Sequence, residues 1–201
     1  FTTIDDVAYA YLDLVEAMDL QDVTLVGASI GGWNAAELAI RGSDRFSKLV
    51  LIDPVGVKLG SREERPIADV FGLTNDDLPG MYFSTKEAGL AAMHELKFPD
   101  VPEEASVRHA RNRETLSLYG WAPTLYNPKL LSRLHRIKAP TLVLWGDKDH
   151  VAGVDYGKQY AAAIPGAKFD VIPGGGHLGY FENPDEYAKR TQAFLSAGRA
   201  R

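Results

Sequence analysis

The chain of 201 residues is long enough for one domain with its own core, and its 45% hydrophobic and 24% charged residues are ordinary for a globular protein. A formal net charge of -5, with Arg108-His109-Ala110-Arg111-Asn112-Arg113 as the one short basic cluster, argues against a nucleic-acid surface. The absence of cysteine excludes disulfides, thiolate metal sites and a cysteine nucleophile, and no apolar run approaches the ~20 residues that span a bilayer.

Ile4, Val7, Ala8, Tyr11, Leu12, Val15 and Met18 recur at helical spacing and predict a helix over roughly 4–19, with Thr3 as N-cap and Asp6 at the capping-box position. Val23-Thr24-Leu25-Val26, ending at Gly27, predicts a buried strand. A helix over roughly 30–41 stops at Gly42, and Leu49-Val50-Leu51-Ile52 is the next strand, closed by Asp53-Pro54. From about 56 to 136 the pattern changes. Pro66, Pro79, Pro99, Pro102, Pro123 and Pro128 separate short helical patterns, one of them carrying Ala88, Ala91, Ala92 and Glu95, and no strand is expected. The strand-helix rhythm then returns: a strand at Leu142-Val143-Leu144-Trp145, a helix over roughly 154–163 and a strand at Phe169-Asp170-Val171-Ile172. A last helix is capped by Asn183, Pro184 and Glu186. Alternation of this kind predicts an α/β fold with a mostly parallel sheet and helices on both faces. Ligands bind such sheets at the carboxyl ends of strands, where Ser29, Asp53, Asp149 and His177 all fall.

Gly27-Ala28-Ser29-Ile30-Gly31 is Gly-x-Ser-x-Gly between a strand and a helix. A serine on that sharp turn is held with its hydroxyl clear of the sheet, and flanking glycines let backbone segments pass closely. The Ile30 N–H and the positive helix end would face an oxyanion formed at Ser29. The same glycines also resemble a dinucleotide-binding turn, with Asp53 where a ribose-binding acid would sit. Against it, the third glycine would fall at Trp33, and the single Tyr-x-x-x-Lys, Tyr82 to Lys86, lies too near the turn.

A serine hydroxyl needs a base, and the base needs an orienting partner. His177 follows three glycines after the last strand and precedes the capped helix, the place for that base. His94, His109 and His135 fall in the insert, and His150 is expected at the surface. Three aspartates compete to be the acid. Asp149 is three residues past Gly146 and deep enough in its loop to turn toward His177; Asp53 ends the preceding strand; Asp147 is placed to cap the turn.

The order Ser29, Asp149, His177, with the stretches Leu25–Gly32, Pro140–Asp149 and Gly176–Pro184, resembles the α/β-hydrolase superfamily along the whole chain. The resemblance implies a core at 1–55 and 137–201 and a helical cap at 56–136. Serine at the elbow separates it from dehalogenases and epoxide hydrolases, which carry aspartate there, and the overall look is of bacterial esterases and carbon–carbon bond hydrolases. Relatives of this kind carry four strands before the first helix and a second oxyanion donor in a loop among them. The chain is therefore expected to be N-terminally truncated, with that donor upstream of Phe1.

The expected reaction is cleavage of a small to medium apolar or aromatic carboxylic ester through an acyl-enzyme. Hydrolysis of a carbon–carbon bond in a vinylogous diketone, or a ligand receptor on the same fold, are the alternatives. Of the insert's Phe71, Met81, Tyr82, Phe83, Met93, Tyr119, Trp121 and Tyr126, some should line the pocket and others pack within it. Tyr82, Phe83 and Trp121, with Trp33 on the elbow helix, are the expected substrate contacts. No cofactor or metal is required. The partner is a small molecule, neither nucleic acid nor membrane, and a cytoplasmic location is expected, the start at Phe1 leaving a signal peptide open.

Overall fold

A computed structural model describes residues 1–42, 44–61, 63–95 and 102–197. Helix α1 (Ile4–Ala17) begins with the expected reciprocal cap: Asp6 N–H donates to Thr3 Oγ1 and Thr3 N–H to Asp6 Oδ2. Strand β1 (Val23–Ala28) leads into α2 (Ile30–Ile40), which ends before Gly42 at φ 72, a conformation glycine adopts without a Cβ clash. Strand β2 (Phe46–Ile52) follows. The segment before the next strand carries α3 (Leu78–Tyr82), α4 (Lys86–Glu95), α5 (Pro102–Gly120) and a 3-10 turn at Leu131–Arg136. Then come β3 (Thr141–Gly146), α6 (Val154–Ala162), β4 (Lys168–Ile172), α7 (Gly179–Glu182) and α8 (Pro184–Ser196).

The four strands form one parallel sheet in the order β1-β2-β3-β4. Side chains alternate across it. Leu49, Leu51, Val143 and Trp145 join the larger core with Trp33 and Ala36 of α2 and Tyr156 and Tyr160 of α6. Val50, Ile52, Leu142, Leu144 and Ile172 pack with Tyr187 of α8 on the other face. Helix α1 packs mainly on α2, its Ala8 and Val15 clustering with Leu38 of α2 and Phe46 of β2.

Three expectations need correction. Strand β1, expected to be buried, is an outer strand of the sheet with Val26 exposed and Val23, Thr24 and Leu25 only half-buried. The segment between β2 and β3 holds one long helix, the 19 residues of α5, where short patterns were expected. Asn183 Oδ1 caps α8 by accepting the Glu186 N–H, but the Glu186 carboxylate takes Arg190 and does not close a reciprocal box. Outside the sheet, the described residues pair in strand fashion only at the isolated bridges Gly56–Tyr126 and Ile67–Ala152.

Candidate active site

Three of the four strand ends deliver Ser29, Asp149 and His177. Ser29 sits between β1 and α2 at φ 52 and ψ -120, a region a non-glycine residue occupies only when its surroundings hold it there. The holding bonds are explicit: Ser29 N–H donates to Ile52 O at 2.9 Å, and Ser29 O accepts from Trp33 N at 3.1 Å and Val55 N at 3.3 Å. A Cβ on Gly27 would lie 2.3 Å from Gly31 O, and one on Gly32 would lie 2.8 Å from Pro54 Cβ. One on Gly31 would meet nothing within 4 Å. The turn therefore needs glycine at 27 and 32 for close passage, and the motif's second glycine, Gly31, is not itself crowded. Ile30 N–H occupies the first helical position, where the helix ladder leaves donors free.

His177, 1% exposed, lies on the loop after β4. Its Nδ1 is 2.9 Å from Asp149 Oδ2 and its Nε2 is 2.7 Å from Ser29 Oγ. An ionised carboxylate only accepts, so this network assigns the proton to Nδ1 and leaves Nε2 to accept the Ser29 hydroxyl. Asp149 is fixed from behind, its Oδ1 accepting Val151 N–H at 2.7 Å and Ala152 N–H at 3.0 Å. Asp147 serves the loops: its Oδ1 accepts Gly174 N–H at 2.7 Å.

Asp53, the other acid weighed from sequence, ends β2 with φ 44 and no exposure, and its Oδ1 accepts Gly146 N–H at 2.8 Å. Burial first, and the neighbouring Asp149 second, push its carboxyl well above the usual carboxylate range.

The segment between β2 and β3 reaches the loop that carries His177. Leu178 N–H donates to Tyr82 O at 2.7 Å, and the Tyr82 ring lies 6.0 Å from the His177 ring. Burial raises the Tyr82 phenol, with Arg113 acting against it. Glu182, which sequence reasoning passed over, accepts Gly176 N–H and Ser84 N–H, both at 3.0 Å, and the Ser84 hydroxyl. Its signal was faint: a single carboxylate five residues past the histidine, meaningful only once Ser84 is brought beside it.

The other expected substrate contacts are dispersed. Trp33 is buried in the core with its Nε1–H donating to Glu37 Oε1 at 3.1 Å. Phe83 is buried behind the histidine loop, where a Cβ on Gly176 would lie 2.5 Å from its carbonyl carbon. Trp121 is 61% exposed, edge-on to Phe71, and lines a separate cavity of about 420 Å³ with Val57, Arg65, Ile67 and Tyr126. Ser29, Asp149 and His177 are not on that cavity's wall. The side chain of Met93 lies outside the described residues. No described helix is long and apolar enough to cross a membrane.

Comparison with known proteins gives a consistent picture. A family model described as alpha/beta hydrolase fold matches residues 1–184. A 2-hydroxy-6-oxo-6-phenylhexa-2,4-dienoate hydrolase of Burkholderia cepacia is 24% identical over 209 residues, covering 95% of this chain and 68% of that protein. The Comamonas testosteroni enzyme of the same name is 26% identical over 198 residues, 94% of this chain and 68% of that one. Among curated relatives the chain spans from 58% to 68% of their length. Of solved structures, a membrane phospholipase A described as a bacterial virulence factor superposes with TM-score 0.69 at 25% identity, covering 99% of this chain and 64% of that one. A serine hydrolase of the hydrocarbon-degrading Cycloclasticus zankles gives 0.73 at 19% identity, covering 98% and 72%.

Proposed function

The chain belongs to the alpha/beta hydrolase fold family, and from that premise we propose that it is a serine hydrolase of a small carbonyl compound, with Ser29 as nucleophile, His177 as base and Asp149 as the acid that orients it. The observation that carries the reading is the unbroken chain Ser29 Oγ, His177 Nε2, His177 Nδ1, Asp149 Oδ2, with bonds of 2.7 and 2.9 Å. In this reading His177 takes the Ser29 proton as Oγ adds to the substrate carbonyl. Ile30 N–H supports the resulting oxyanion, and Asp149 stabilises the imidazolium. His177 then protonates the leaving group, and water, activated by the same imidazole, releases the acyl group from Ser29.

For the bond cleaved, the names of the relatives favour carbon–carbon hydrolysis over the ester expected first. A carbon leaving group departs only if its electron pair is delocalised. A 2-hydroxy-6-oxo-dienoate in its keto form meets that need: the pair released at C5 passes into a conjugated enolate, and His177 returns the proton. We assign the insert at 56–136 the role of a cap over the site. The bond that Tyr82 O accepts from Leu178 N–H and the bond from Ser84 N–H to Glu182 of α7 support this, and Tyr82 is the insert residue best placed to touch substrate. Ester hydrolysis remains the second reading, favoured by the likeness to a phospholipase A.

Steady-state turnover of 2-hydroxy-6-oxo-6-phenylhexa-2,4-dienoate and of a p-nitrophenyl ester tests the proposal. The dienoate should give the higher kcat/KM, and Ser29→Ala should lower kcat on either by roughly 10⁴–10⁶. Preference for the ester would favour the second reading. A single burst without turnover would make the protein a receptor rather than an enzyme.

A further inference from the structure

We propose that Asp53 is a neutral acid at physiological pH, that its Oδ2–H donates to the Asp149 carboxylate, and that it thereby acts as a positioning residue for the His177 partner. The inference rests on the reading of His177 and Asp149 given above.

The geometry leaves few other arrangements. Asp53 has no exposure. Its Oδ1 is occupied by Gly146 N–H at 2.8 Å, while Oδ2 is buried and reached by no N–H or O–H among the described residues. Asp149 stands beside it: Gly146 donates its N–H to Asp53 Oδ1 and accepts the Asp149 N–H at 3.3 Å, and the Asp149 carboxylate acts on the Asp53 carboxyl both through its charge and as a hydrogen-bonding neighbour. Two carboxylates are both acceptors, so such a contact needs a proton on one of them. Asp149 already acts as acceptor toward three donors, Val151 N–H, Ala152 N–H and His177 Nδ1–H. Asp53 accepts one. The proton therefore belongs to Asp53. Tyr180 of α7 and Tyr187 of α8 also face it, but both are hydroxyls with raised pKa, and neither donates to Oδ2. Among the described residues, no cation pairs with Asp53 to balance a second buried charge. The direction of its own shift, well above the ordinary 3.8, agrees.

The function of the stored proton follows. With Asp53 neutral, the site places one negative charge behind His177 and fixes Asp149 by a donor on a rigid strand end. With both ionised, the second charge would favour the imidazolium at rest and remove the base.

The proton can be read directly. Infrared spectra at neutral pH should show a protonated-carboxyl C=O stretch that Asp53→Asn removes and Asp147→Asn leaves. If Asp53→Asn does not fold, carbon-13 aspartate labelling of the wild-type protein decides the point. One aspartate carboxyl must keep its protonated chemical shift well above pH 3.8. Stability gives a second readout. A raised acid holds a proton when folded that it releases when unfolded, so its contribution is present in acid and lost as pH rises. Urea midpoints of the wild type relative to Asp53→Asn should therefore fall from below pH 3.8 toward neutrality. In kinetics, Asn keeps both charge and donor, so the acidic limb of kcat/KM should stay in place, whereas Asp53→Ala should lower kcat more than it changes KM. No protonated band, a band that survives Asp53→Asn, a rising relative stability, or an acidic limb displaced by about 1 pH unit or more in Asp53→Asn would overturn the proposal. The band without Ser29-dependent turnover would instead sink the catalytic reading and leave the proton assignment standing.

Discussion

Asp149 and Asp53 follow adjacent strands, yet only Asp149 turns toward His177. Asp53 follows Ile52 directly, and its Oδ1 is held by Gly146 N–H, whereas Asp149 stands three residues beyond Gly146 on a loop closed by its own bonds to Val151 and Ala152. The spacing after the glycine made this legible in the sequence. Asp149→Asn keeps the shape but favours the wrong imidazole tautomer, and kcat should fall by about 10⁴ in steady-state assays. A loss under about tenfold would contradict it. The aromatic residues were less legible. Hydrophobicity alone cannot separate a pocket wall from a core, and for Trp33 the decision is made by Glu37, whose buried carboxylate takes the indole N–H, Asn127 Nδ2 and Arg41 together. For Phe83 it is made by the approach of Gly176, 93 residues away.

At the level of elements, the sheet was readable because each strand is a short apolar run stopped by glycine, aspartate or proline. The observed strands are a residue or more longer at one end or both. Helix α5 was not readable: it carries few apolar residues, Val107 and Leu118 among them are exposed, and no stripe marks a buried face. At the turn after β1, the two glycines of the motif differ in why they are glycine. Gly27 and Gly32 are crowded by backbone and by Pro54, but Gly31 faces open space. Gly27→Ala should cost about 1–3 kcal/mol by overpacking. Gly31→Ala should be neutral or stabilising by up to about 1 kcal/mol, since alanine favours the helix. Urea denaturation of the two variants checks the ranking, and equal losses would mean that the whole motif is under the same constraint.

For the whole molecule, the notable surface is the free side of β1. It is an outer strand, Val26 is 55% exposed, and Tyr11 and Leu14 of α1, with Met18 at that helix's C-cap, are also exposed. An open apolar edge is a template for pairing with another chain, so this chain of 201 residues should sediment as a concentration-dependent oligomer, and Val26→Lys should shift it toward monomer. A monodisperse wild-type monomer would contradict that. The claim on which the functional account depends is narrower: one activated serine in the whole molecule. Treating the intact protein with a fluorophosphonate and mapping the adduct by mass spectrometry tests it most directly. One adduct, on Ser29 and absent from Ser29→Ala, is the expected result. Labelling at another serine, or labelling undiminished in Ser29→Ala, would show that the Ser29–His177–Asp149 chain is not the reactive site.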